Sequence, residues 1–116
     1  MKIKALHSIP KQAVEMAGAT DVLKQIPLGM VDGTPTMSWR VFTIEPGGNT
    51  PYHQHPYEHL NYIISGEGFL VSENGVENPL RTGDFVLVDP NERHQYRCSQ
   101  ADNPLVMICA VPRKFE

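Results

Sequence analysis

Turn-forming residues interrupt this chain so often that no long helix fits between them. Ten prolines and nine glycines fall among 116 residues. Between them lie short runs rich in aromatic and β-branched residues, such as "SWRVFTI", "HLNYIIS", "FVLV" and "LVMICAV". Turn signals recur about every eight to twelve residues, the rhythm of an all-β sandwich or barrel. The stretch Pro10–Ala19 is the one place where a helical turn competes with an irregular lead-in. Expected strands are "TDVLKQIPL", "TMSWRVFTIEP" (broken by Gly47-Gly48), a short extended "TPYHQH", "HLNYIIS" closed by Gly66, "GFLVSE", "VENPL", "FVLVD", "RHQYRCS" and "LVMICAVP". Asn74-Gly75 predicts a tight hairpin, because both central positions of such a turn need positive φ. "MVDGTP", "RTGD" and "QADNP" read as further turns.

Composition narrows the function classes. The net charge of −3 offers no basic surface for nucleic acid. No apolar run is long enough for a membrane span, and the N-terminus lacks the apolar stretch of a signal peptide. A cytoplasmic protein is expected, with Cys98 and Cys109 reduced.

Three of the five histidines lie in "NTPYHQHPYEHLNY". His53 and His55 are two apart on an extended segment, so both rings point to one face. His59 opens the next strand after Pro56 bends the chain. Taken alone, this spacing also suits surface histidines in a polar loop. His94 follows a Gly-Asp turn, the apolar "FVLV" and Pro90 in the second half of the chain. His7, alone near the N-terminus, reads as a surface residue.

With His94 the pattern resembles a known family. Gly47 to Gly66 reads G-x5-H-x-H-x3-H-x6-G, which is similar to the first motif of the cupins, except that His59 stands where the family usually has glutamate. Gly83 to Cys98 resembles the second cupin motif. There, Gly83 to Pro90 is one residue longer than the pattern, Glu92 replaces the second glycine and Cys98 replaces asparagine.

The resemblance implies an all-β double-stranded β-helix, a jelly-roll barrel. It implies one domain over residues 1–116, with a barrel over 36–112 and an N-terminal segment, 1–30, that carries an edge strand. It further implies a divalent metal inside the barrel, held by His53, His55, His59 and His94. Manganese or iron is favoured for chemistry, and imidazole also suits zinc, nickel and copper. Glu58 is turned away by strand alternation and is not expected to bind the ion. It could hold an imidazole N–H instead.

Four neutral imidazoles would leave a divalent ion its full charge, which favours an anionic guest. An octahedral ion would keep adjacent positions open. A closed tetrahedral zinc that only braces the fold is the competing reading. Strand parity leaves two choices on "MSWRVFTI", with either Trp39, Val41 and Thr43 or Arg40, Phe42 and Ile44 inward, and the family's pockets favour the second. Arg40, Phe42, Asn61, Tyr96, Met107 and Cys109 would then surround the ion, with Arg40 offered to a small anion; a surface Arg40 is the alternative. The expected function is a metal-dependent, dioxygenase-like oxidoreductase acting on a small anionic or chelating molecule. The alternatives are a non-catalytic binding module and a non-redox isomerase or lyase using the ion as a Lewis acid. For that last chemistry only Tyr96 stood out as a proton carrier. Small cupins resemble proteins that pair, so a homodimer is expected.

Overall fold

The structure is a computed structural model that describes residues 1–99 and 102–116. Nine strands run antiparallel to their neighbours: β1 Gln12–Ala13, β2 Thr20–Leu28, β3 Met37–Asn49, β4 His59–Ser65, β5 Glu67–Val71, β6 Glu77–Arg81, β7 Phe85–Val88, β8 Gln95–Cys98 and β9 Leu105–Pro112. They follow the spatial order β6-β5-β8-β3-β9-β4-β7, with β2 laid on β3 and β1 on β2. The chain thus crosses between sheet halves rather than running up and down, which is jelly-roll connectivity. Every described helix is a single 3-10 turn.

Alternation decides what faces in. On β9, Leu105, Met107, Cys109 and Val111 are buried, and the residues between them are half-buried. On β4 the inward set is His59, Asn61 and Ile63. On β3 it includes Arg40, Phe42 and Ile44, the parity expected from the sequence. Val22, Ile44, Ile63, Leu80, Tyr96, Cys98, Leu105 and Met107 form the core. Val22, Tyr96 and Met107 also face the histidine-lined cavity, so the core is the floor of the site. Its rigidity, set by close packing, is what holds the site in place.

Several turns behave as their residues dictate. Asn74 and Gly75 have φ of 69° and 75°, and they join β5 to β6. Gly66 has φ of 85°, and a Cβ there would lie 2.0 Å from the carbonyl oxygen of Pro104, so only glycine fits.

Other expectations need correction. Residues 10–19 form no helix; Gln12 and Ala13 pair with Lys24 and Leu23 instead, because β2 offers open ladder positions. Gly47-Gly48 does not end β3. Pairing resumes at Asn49↔Thr20, with Glu45–Gly48 bulged opposite Asp21. The stretch "TPYHQH" is not a strand, since His53 alone makes a ladder contact, to His94. In the second motif the left-handed position is Asn91, at φ 64°, not Glu92. Asparagine tolerates that conformation, so it does the glycine's work and keeps the turn into His94 intact. The turn at "QADNP" lies partly outside the described residues.

Gly66→Ala combines left-handed strain with a backbone clash. It should cost about 3 kcal/mol of folding stability. Denaturant titration against the parent checks this, and a loss within error of zero would contradict the packing described for Gly66.

Candidate metal centre

One backbone contact assembles the site. His53 N–H donates to His94 O at 3.1 Å, and His94 N–H donates to His53 O at 2.9 Å. This isolated bridge joins the two histidine motifs, which lie far apart in sequence. Asn91 N–H also donates to His55 O, tying the second turn to the first loop.

One ligand nitrogen each from His53, His55 and His94 lies within 4.8 Å of the others. The ring of His55 is 4.2 Å from that of His53 and 5.4 Å from that of His94, both near edge-on. His59 lines the same cavity, buried, but stands outside that group of nitrogens among the described residues. Its ring is stacked on His55, 4.5 Å away and 12° from parallel. The structure therefore brings four rings to one cavity and converges three of their nitrogens. Face-to-face stacking keeps the fourth beside them.

The donor set suits a divalent ion. The Nδ1 of His94 lies 2.9 Å from Glu92 O, which can only accept. The proton is therefore on Nδ1, and Nε2 keeps its lone pair for an ion. The Nε2 atoms of His55 and His59 are buried with no hydrogen-bond partner. Buried nitrogens without partners are costly unless something else occupies them. Burial chiefly lowers the pKa of all four histidines, helped at His53, His55 and His59 by neighbouring cationic groups. His55 falls to about 4 and His59 to about 3. Neutral imidazole is the form a metal needs.

The pocket residues expected from the sequence, Arg40, Phe42, Asn61, Tyr96, Met107 and Cys109, all line the cavity of about 220 Å³. Arg40 is 7% exposed and has no carboxylate partner among the described residues. Its Nη2 donates to Cys109 Sγ at 3.1 Å, its Nη1 to Phe115 O at 3.5 Å, and its Nε is buried and unpartnered. The Tyr96 hydroxyl donates to Asn61 Oδ1 at 3.1 Å, and burial raises its pKa, so it is held as a donor and is no base. Glu58 is exposed and bonds no imidazole. Cys98 faces inward into the core, away from the cavity, and both cysteines are free.

The sequence reading missed Tyr57, Lys24, Phe115 and Glu116, which also line the cavity. Tyr57 stacks on His55 at 5.0 Å and on Phe115 at 3.8 Å. Its alternation with His55 and His59 was a usable signal. Lys24 shares the parity of Val22 on β2. Phe115 and Glu116 follow the last strand, where periodicity carries no information.

A protein-family model described as "Cupin domain" matches residues 40–111. The chain belongs to the cupin family. It is 30% identical to an L-ectoine synthase of Mycolicibacterium gilvum (strain PYR-GCK), over 94% of this chain and 81% of that protein. It is also 30% identical to gentisate 1,2 dioxygenase 1 of Aquipseudomonas alcaligenes, over 56% of this chain but 18% of that one. Its fold is similar to that of the polyketide cyclase RemF from Streptomyces resistomycificus, with a TM-score of 0.90 and 22% identity, covering 97% of this chain and 79% of that chain. No helix among the described residues is long and apolar enough to cross a membrane.

Two outcomes follow from the site. His94→Ala removes one of the three converged ring nitrogens while keeping the backbone bridge, and should lower bound divalent metal at least about tenfold, whereas His7→Ala, on an exposed 3-10 turn, should leave it unchanged. Elemental analysis after dialysis against limiting metal reads both. The pH dependence has a fixed sign. A free imidazole titrates near about 6.5, so in acid the unfolded chain takes up protons that the folded site refuses. The site's contribution to stability is whole above about pH 6.5 and is lost as pH falls toward about 4, the folded value of His55. The melting temperature of the metal-loaded protein should drop across that window as the ion leaves; an ion retained at about pH 4 would mean other ligands.

Proposed function

We propose that the chain is a metal-dependent enzyme in which His53, His55, His59 and His94 hold one divalent ion, manganese or iron, and that its substrate is a small anionic or chelating organic molecule. The observation that carries this is Arg40: a buried guanidinium without a counter-ion among the described residues, its Nε unpartnered, lining the same cavity as the imidazoles. Neutral ligands cancel none of an ion's charge, so cavity and ion together attract an anion. A bound ion would polarise a carbonyl or carboxylate drawn to it. Arg40 orients the anionic end through its free N–H. Phe42, Met107 and Tyr57 supply apolar contact and keep water out. Tyr96 and Asn61 hold a fixed donor–acceptor pair on the cavity floor.

For the reaction, two of the similar proteins that span nearly the whole chain are named as a synthase and a cyclase, and we take Lewis-acid catalysis of a bond-forming step as the first reading. The oxygenase expected from the sequence is the second, favoured by the likeness to gentisate 1,2 dioxygenase 1. Turnover of small hydroxy and keto acids, followed with zinc- and iron-loaded protein with and without oxygen, separates them. Product from zinc-loaded protein without oxygen supports the first, and a joint need for iron and oxygen supports the second. Binding without any turnover would leave the protein a ligand-binding module. Arg40→Met should weaken carboxylate binding at least about tenfold with metal retained, measured by calorimetry; unchanged affinity would remove Arg40 from substrate binding.

We also propose that the chain forms a homodimer, and that a second copy sits on the outer face of β4 and β7. There Trp39, Ala110, Leu60 and Leu87 form one cross-strand row, and Val41, Ile108, Tyr62 and Phe85 a second. The N-terminal residues Lys4 and Leu6 lie over the β3 side of this face. Phe85 remains 84% exposed and Leu87 57%. A bare apolar face beside a sheet-edge strand favours pairing with an identical face. Light scattering should give a dimer for the parent and a monomer for Phe85→Glu at equal melting temperature; a monomeric parent would contradict this. Free, buried Cys98 and Cys109 support the cytoplasmic placement.

A further inference from the structure

A second cationic side chain lines the cavity. Lys24, half-buried on β2, lines it and makes no hydrogen bond or ion pair among the described residues. Its cross-strand neighbour is Phe42. Arg40 is the next inward residue on β3, and its guanidinium carbon lies 4.9 Å from the centre of the Phe42 ring. Arg40 is therefore buried beside the Phe42 ring, and Lys24, less buried, stands opposite Phe42 in the ladder. Diagonal neighbours in such a ladder are about 7–8 Å apart at Cα, within reach of one short molecule.

Among the described residues no ion pair balances these two cations. Of the lining side chains only Glu116 carries a carboxylate, and it accepts from Met30 N–H at 3.1 Å and from Ser38 Oγ. Val14 and Met16, between β1 and β2, and Val22 on β2 line the cavity together with Lys24, so this side of it is otherwise apolar. Gathering like charges in a cavity costs stability unless an anion enters between them.

We propose that the substrate carries two separated anionic groups, such as the two ends of a short dicarboxylate. One group would lie at Arg40 and the imidazole cluster, the other at Lys24, with the carbon chain over Phe42. This rests on the reading of the cavity as an anion-binding metal site, and it adds the second anchor.

Calorimetry on zinc-loaded protein tests it. The probes are succinate, glutarate and adipate, each against the monocarboxylate of equal length: butyrate, pentanoate and hexanoate. At least one diacid should bind about tenfold tighter or more than its monoacid partner. Lys24→Met should erase that preference while leaving monoacid affinity unchanged, and Lys24→Arg should keep it, with thermal melting showing that both variants fold. Equal affinity for diacids and monoacids, or a Lys24→Met loss shared by both, overturns two-point recognition and leaves Arg40's role standing. If no carboxylate binds the parent protein, the anion reading of the whole site fails, and this inference with it.

Discussion

The reciprocal backbone bridge between His53 and His94 is the contact on which the rest of the site depends. Neither segment is a full strand there, so no long ladder holds the two histidines together. They meet because β3 and β8 converge at Asn49 and Arg97, just before and just after them. Thr50 adds to the join: its N–H donates to Tyr96 O, and its hydroxyl accepts from Tyr96 N–H. The jelly-roll crossing thus gathers the histidines of the candidate metal centre through a few hydrogen bonds. The apolar floor of Val22, Tyr96 and Met107 keeps those bonds from fraying.

Charge organises the remainder. Burial holds the imidazoles neutral, and the buried Arg40 reinforces this at His53, His55 and His59. The same guanidinium has no ion-pair partner among the described residues and spends two of its donors on a thiol and a backbone carbonyl. A protein under selection for stability alone would have little reason to keep such a group, since an unpaired buried charge is among the costliest features a core can carry. Its place beside the histidines makes sense as preparation for a ligand, with stability given up in exchange for binding.

Much of this was legible in the sequence, for identifiable reasons. Period-two alternation is regular on β4 and β9, so the inward sets containing Asn61 and Met107 could be read by parity, whereas β3 buries Val41 and Thr43 as well as Arg40, and there the family resemblance favoured the Arg40 face. The histidine spacing marked the site because few other patterns place His53 and His55 on one face. What failed were local conformations decided by distant partners. Gly47-Gly48 looked like a terminator, but β2 absorbs the extra residues as a bulge. Gln12 and Ala13 look helical alone and become a strand because β2 has an open edge. The contribution of Phe115, stacked on Tyr57, depends on where the chain goes after its last strand, which no period encodes. The roles of Asn91 and Glu92 differ by a single residue, a distinction that φ alone resolves.

The central claim is that His53, His55, His59 and His94 act as one ligand set, although His59 lies beside the three converged nitrogens. Metal-edge X-ray absorption on manganese- or iron-loaded protein, compared between the parent and His59→Ala, tests this most directly. The account predicts imidazole scattering from four histidines in the parent and from one fewer in the variant. An identical first coordination sphere in the two proteins would contradict it.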